Sequence, residues 1–227
     1  MKDYRFSALS HELRTPLCTI VGFSELLLAE QRPLDVQREF IEIIHTQGVR
    51  LSKLVDNLLE LEHIESGDRR PILRPVRLGE IVEQACAFFG QDDRLTVVGA
   101  DRPLVVDVDP ELIARALSNL ISNALTFSPV LEHVVVRVVG NATSARCEVI
   151  DHGPGVPAEQ HDRVFDRFFR TEIARESTPE GSGLGLTLVR EIVVRQGGQV
   201  HVQVTEGGGS TFTIELPLST GHEDGGS

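Results

Sequence analysis

Between Leu34 and Ser66, Phe40, Ile44, Leu51, Leu54 or Val55, Leu58, Leu61 and Ile64 recur at spacings of three and four with charges between them. That is the pattern of a long helix with one narrow apolar seam. A second stripe precedes it, with Phe6, Leu9, Leu13, Leu17, Ile20 and Leu27 on one side of a helix over residues 6–28. The connection AEQRPL at residues 29–34 is short and holds Pro33, so the two helices should fold back as an antiparallel hairpin over residues 1–68. One hairpin cannot bury both seams, whereas two hairpins forming a four-helix bundle can. The expected assembly is a homodimer.

On the first helix His11 lies about 200° around from Leu9 and faces water. Arg14 and Thr15 share its face, and Glu12 follows at roughly 100°. Pro16 removes the amide that would bond the carbonyl of Glu12, so the helix should bend one turn past the histidine. An exposed histidine beside an acid and above a kink suggests chemistry, although a solvated surface histidine is the more ordinary reading of the geometry alone. The full string SHELRTPL closely resembles the phosphoacceptor box of the sensor histidine kinases of bacterial two-component systems. In that family the histidine takes a phosphoryl group from ATP.

The chain has 227 residues, 41% of them hydrophobic, enough for one large domain or two ordinary ones with a real core. Its 22 Lys and Arg face 34 Asp and Glu, a net charge of −12 that argues against direct nucleic-acid binding. Any phosphate is then handled by backbone amides and a metal ion. Cys18, Cys86 and Cys147 are scattered and odd in number, against a disulfide framework or zinc site and in favour of a reducing compartment; they read as buried packing residues. No stretch is apolar for long enough to cross a bilayer and no signal peptide follows Met1. The expectation is a soluble, cytoplasmic piece of a longer protein, making no membrane contact itself even if the whole protein is anchored.

After residue 66 the pattern changes, and Pro71 and Pro75 mark a linker over residues 69–76. Beyond it, Leu78 to Phe89 reads as a helix, and Arg94 to Val98 and Leu104 to Val108 as short strands. Asp109-Pro110-Glu111 is a helix start, an N-cap followed by proline at the first helical position, and opens a helix from Pro110 to Phe127. His133 to Val139 and Ala145 to Ile150 form a hairpin, Gly183 to Gln196 a helix, and Gln199 to Glu206 with Ser210 to Leu216 a last hairpin. Residues 219–227 read as a disordered tail. The fold class is α+β: a helical hairpin in a dimeric four-helix bundle, then a two-layer sandwich over residues 77–218 with helices on one face of a mixed sheet.

Three clusters in that sandwich bear on chemistry. Asn119 and Asn123 share one face of the helix from Pro110, although taken alone two amides there are more readily read as solvated. DHGPGV at Asp151 to Val156 follows a strand, so tight glycine turns can bring a carboxylate to a ligand edge, or simply form a turn. GSGLGL at Gly181 to Leu186 precedes a helix whose free amides favour phosphate. In order, NLISNA, DHGPG, VFDRFFR and GSGLGL resemble the N, G1, F and G2 boxes of the ATP-binding domain shared by histidine kinases, DNA gyrase, heat-shock chaperones of the ninety-kilodalton class and mismatch-repair ATPases. No strand-GxGxxG-helix unit and no GK[ST] is present, which excludes Rossmann and P-loop readings. With the histidine box upstream, the resemblance covers nearly all of residues 1–218.

The resemblance implies the following roles. Asp151 accepts a hydrogen bond from the adenine amino group, Asn123 coordinates Mg²⁺ with Asn119 nearby, and Gly153 and Gly155 shape the pocket. Gly181, Gly183, Leu184 and Gly185 form the far end of a lid over the phosphates, and Arg170 steadies the γ-phosphate. Phe165, Phe168 and Phe169 are either lid anchors or ordinary core aromatics. His11 attacks the γ-phosphorus of ATP in line, and Glu12 orients the ring and takes its proton. The phosphoryl group then passes to an aspartate on a response-regulator receiver domain. Thr15 matches the position linked to water in dephosphorylation of that partner, an implied second activity.

The sequence departs from the pattern at Thr126, where many relatives carry a basic residue; one phosphate contact is then missing and ATP affinity reduced, unless Arg175 substitutes. The lid TEIARESTPE from Thr171 to Glu180 is charged and expected to be mobile without ATP. An ATPase or chaperone-like machine, and a catalytically weak dimeric scaffold biased toward phosphatase activity, remain as alternatives.

Overall fold

The computed structural model describes residues 2–29, 32–67, 70–90, 92–177 and 181–220, with side chains from Leu9 onward. The chain divides into two compact units, Met1–Glu62 and His63–Ser227.

The first unit is the hairpin. Helix α1 (Lys2–Ala29) runs without interruption through Pro16, and α2 (Leu34–Ser66) returns beside it. The return is stapled at its start: Gln37 donates from its amide to Pro33 O at 3.0 Å and from Nε2 to Arg32 O at 2.7 Å. Phe23 meets Phe40 edge-on with centroids 4.9 Å apart, and Arg32 lies over the Phe40 ring. Apolar side chains remain uncovered within the chain. Leu17 is 51% exposed, Ile41 and Val49 56% each and Leu59 52%. Leu17, a member of the first seam, is uncovered within the single hairpin, whereas Cys18, read as a packing residue, is exposed. Phe6 belongs to the residues whose side chains are not described.

The second unit is built on a five-stranded mixed sheet in the order β2-β4-β5-β7-β6, formed by Leu95–Val98, Val134–Gly140, Ser144–Ile150, Ser210–Pro217 and Gln199–Val204. β2 is parallel to β4, and the other pairings are antiparallel. Alternation decides its faces. Val134, Val136 and Val138, with Ala145, Cys147 and Val149 opposite, are buried on the side covered by α3 (Leu78–Ala87), α4 (Pro110–Phe127) and α6 (Gly185–Val194). On the other face Arg137 pairs with Glu148 across the β4–β5 register at 3.3 Å. Cys86 is half-buried and Cys147 fully buried, and burial pushes both thiols up.

Residues 74–77, expected mostly within a linker, form β1 (Arg74–Arg77), which pairs antiparallel with β3 (Val105–Val108) as a second, two-stranded sheet. Pro75 is compatible because a two-stranded ladder leaves one edge of β1 open. The tail reading is also corrected at its start, since Ser219 donates from its amide to Val105 O at 2.9 Å; residues 221–227 lie outside the described part. α6 begins at Gly185, not Gly183, because Gly183 has φ +68° and cannot be a helical residue. Of the lid, Glu172–Ser177 form a short helix α5, and residues 178–180 lie outside the described part.

Candidate functional site

In the hairpin unit His11 is exposed, and its ring makes no hydrogen bond among the described residues. Thr15 and Arg14 are exposed beside it, and the Thr15 hydroxyl donates to His11 O at 3.2 Å. Glu12 is half-buried and does not bond the His11 ring. Its Oε2 instead lies 3.7 Å from Nη2 of Arg50 on α2.

In the second unit Asp151 ends β5 and is 5% exposed. Its Oδ1 accepts from the amides of Gly153 at 2.9 Å and Ser210 at 3.1 Å; Oδ2 has no partner among the described residues. Burial raises the Asp151 carboxyl above the usual carboxylate range, opposed by those two amide bonds and by the nearby His152. The backbone packs so closely around Asp151 that side chains are excluded at two nearby glycines. A Cβ on Gly209 would sit 2.0 Å from Asp151 O, and one on Gly153 2.8 Å from Phe127 O at the end of α4. Gly155 takes φ +74°, a conformation that suits glycine. The DHGPG loop is thus wedged between the end of α4 and the turn before β7, with the free oxygen of Asp151 as its one anionic acceptor.

Toward the phosphate end, Asn119 donates from Nδ2 to Arg115 O at 3.1 Å, leaving Oδ1 3.4 Å from where a Cβ on Gly185 would stand. Asn123, one turn on, is half-buried and its side chain has no partner among the described residues. A Cβ on Gly183 would come 2.8 Å from Phe168 Cα, and Phe168 itself holds φ +62° while its amide donates to Gly183 O at 3.0 Å. Arg170 lies along Gly181 and donates to Ala174 O. Leu184 is wholly buried as the N-cap residue just before α6. Asn119 and the Gly181–Gly185 loop therefore meet at the open amides of a helix N-terminus. Phe165 is core, packed edge-on against Phe212, and Phe169 lies under the Arg163 guanidinium. Thr126 is exposed and its hydroxyl turns back to Ser122 O.

Three participants escaped the sequence reading. Gly209 and Ser210 brace Asp151, although they read only as the turn and the first strand residue of the last hairpin; the signal was the run Gly207-Gly208-Gly209, whose residues all take positive φ. Arg50 lies far along the chain from Glu12, and only the hairpin brings them together.

This is an ATP-binding α/β sandwich joined to a helical hairpin that exposes a histidine, and comparison with known proteins gives the same pair. Residues 108–220 match the family model of histidine kinase-, DNA gyrase B- and HSP90-like ATPases, and residues 1–67 that of the His kinase A phospho-acceptor domain. The chain is 34% identical over 222 residues to the sensor-like histidine kinase SenX3 of Mycobacterium tuberculosis, a match covering 95% of this chain and 54% of that protein. It is also 34% identical over 223 residues to the sensor histidine kinase WalK of Bacillus subtilis, covering 95% of this chain and 36% of that one. The histidine kinase AdeS of Acinetobacter baumannii superposes with a TM-score of 0.72 at 25% identity, over 92% of this chain and 98% of that one. Histidine kinase ThkA, in a crystal structure with the response regulator protein TrrA, shares the fold with a TM-score of 0.74 at 23% identity, over 95% of this chain and 61% of that one. The chain belongs to the sensor histidine kinase family. It spans about half the length of SenX3.

Proposed function

We propose that this chain is the autokinase core of a two-component sensor: it transfers the γ-phosphoryl group of ATP to His11 and passes it to an aspartate of a response-regulator receiver domain. The observation that carries the reading is Asp151, a buried carboxylate held by backbone amides with one oxygen left over, in a chain that also exposes a histidine on a helical hairpin. An acceptor so placed suits the exocyclic amine of adenine. Residues 1–68 would serve as the dimerisation and phosphoacceptor hairpin, and residues 77–218 as the catalytic domain.

In this reading Gly153 and Gly155 keep the base pocket open, and Gly181, Gly183, Leu184 and Gly185 cover the phosphates. The amides opening α6 meet their negative charge. Asn123 fits Mg²⁺: an amide oxygen is a hard donor, and this side chain is half-buried with no protein partner among the described residues. No group of His, Cys, Asp and Glu among the described residues would hold a metal unaided, which accords with an ion that arrives with the nucleotide. When bound, the ion offsets triphosphate charge. Asn119 orients the adjoining phosphate, and Arg170 stabilises charge on the transferring group.

One ring nitrogen of neutral His11 attacks the γ-phosphorus, the bond to the β-phosphate oxygen breaks, and ADP departs. The proton on the other ring nitrogen passes to Glu12. Thr15 would hold the water that dephosphorylates the partner. The ThkA complex supports a response regulator as that partner class, and the need for ATP accords with a reaction in the cytoplasm. A homodimer covers the apolar residues that the single hairpin leaves exposed.

Incubation with γ-labelled ATP and magnesium tests the reading. Acid-labile, base-stable label that disappears in His11→Gln is the expected result. Phosphate release without labelled protein would identify an ATPase, and neither signal would leave a scaffold.

A further inference from the structure

Glu12 can take a proton from His11 only if its carboxylate stays beside the ring, and among the described residues nothing on α1 holds it there. Three torsions separate the Glu12 backbone from its oxygens, and a carboxylate free to rotate spends most of its time in solvent. The restraint comes from α2. Arg50 Nη2 lies 3.7 Å from Glu12 Oε2, with side-chain exposures of 15% for the arginine and 27% for the glutamate. An enclosed guanidinium needs an anion within reach, so this ion pair is less easily lost to solvent than a surface pair. The contact uses one carboxylate oxygen; Oε1 has no partner among the described residues.

We propose that Arg50 is a positioning residue for phosphorylation of His11, anchoring Oε2 of Glu12 so that Oε1 is presented to the imidazole. The inference rests on the autokinase reading. As the nitrogen–phosphorus bond forms and ADP leaves, the proton on the second ring nitrogen moves to Oε1, while Oε2 stays with the guanidinium. Arg50 neither touches ATP nor carries the proton. Its effect belongs in the rate of the chemical step and not in nucleotide binding.

The test is a double-mutant cycle on the whole chain, with kcat and KM for ATP measured by incorporation of γ-labelled phosphate and folding followed by thermal denaturation. Arg50→Gln is expected to lower kcat about tenfold with KM unchanged, and Arg50→Lys, which keeps the charge, to recover most of that loss. In a Glu12→Gln background, Arg50→Gln is expected to cost nothing further. The same loss with and without Glu12, a change confined to KM, or an unaltered kcat would overturn the proposal. If Arg50→Gln does not fold, the cycle is run with Arg50→Lys, whose smaller loss must vanish in the Glu12→Gln background or the proposal fails. A wild-type chain that takes no label at His11 overturns the autokinase reading and this inference with it; label in every variant without coupling sinks this inference alone.

Discussion

At the residue scale, Asp151 sets binding against stability. Burial raises its carboxyl in the folded chain, so between the unfolded and folded titrations the native state holds the extra proton, and stability falls as pH rises through that window. Above that window the ionised group costs folding energy, which in the proposed reading a contact with adenine would recover. Asp151→Asn keeps an oxygen for the amides of Gly153 and Ser210 but puts a donor where, in the proposed reading, the adenine amine would donate. The variant should melt no lower than the parent, by calorimetry, while nucleotide affinity by titration falls about 10²-fold. Affinity in the parent should also weaken as pH falls, starting above the range where an ordinary aspartate titrates. Gly209→Ala should behave oppositely. With φ +96° and a Cβ position 2.0 Å from Asp151 O, it should lose about 3 kcal/mol in denaturant unfolding and lose nucleotide with it. Thr126→Lys is expected to tighten ATP binding, and unchanged affinity would show that the phosphates have no vacancy there.

At the element scale, α4 shows why part of this site can be read from sequence. Asp109-Pro110 announces a helix start by local chemistry alone, and Oδ1 of Asp109 accepts from Leu112 N at 3.3 Å as that chemistry requires. The same periodicity that buries Leu117, Leu120 and Ile121 puts Asn119 and Asn123 on the remaining face. What no local pattern reveals is the rest of Asp109's work, with Oδ2 accepting from Ile72 N at 3.0 Å and its own amide donating to Gln196 at 2.6 Å. The segment before α3 was unreadable for the same reason. Arg74–Arg77 has a proline and two exposed arginines, and becomes β1 only because β3 offers an edge. Asp109→Ala should therefore cost more than a surface cap, about 2 kcal/mol or somewhat above by chemical denaturation. Nucleotide affinity should change less than fivefold, since the pocket lies at the other end of α4.

At the scale of the whole molecule, the hairpin carries more apolar surface than its sequence pattern disclosed. The seam through Phe40, Ile44, Leu51 and Leu58 reads as a single narrow line, but Ile41, Val49 and Leu59 lie off that line and, with Val55 at its margin, are 56%, 56%, 52% and 38% exposed. Successive residues on a helix turn by about 100°, which places these four within an arc of roughly 120°. They form a second apolar stripe on α2, and Leu17 and Val21, 51% and 47% exposed, give α1 its counterpart. In the proposed homodimer an identical hairpin would cover this uncovered stripe, and the apolar burial would have to outweigh the repulsion between two chains of net charge −12 whose charges stay on the outer faces. Val49→Glu combined with Leu59→Glu would bury two carboxylates per protomer in that interface, a cost of several kcal/mol. In sedimentation the wild-type chain should run as a dimer and the double variant as a monomer. Because the charged side chains lie far from Asp151 in sequence and in a separate compact unit, the monomer should still bind ATP with parental affinity. A double variant that remains dimeric would show that some other surface joins the protomers.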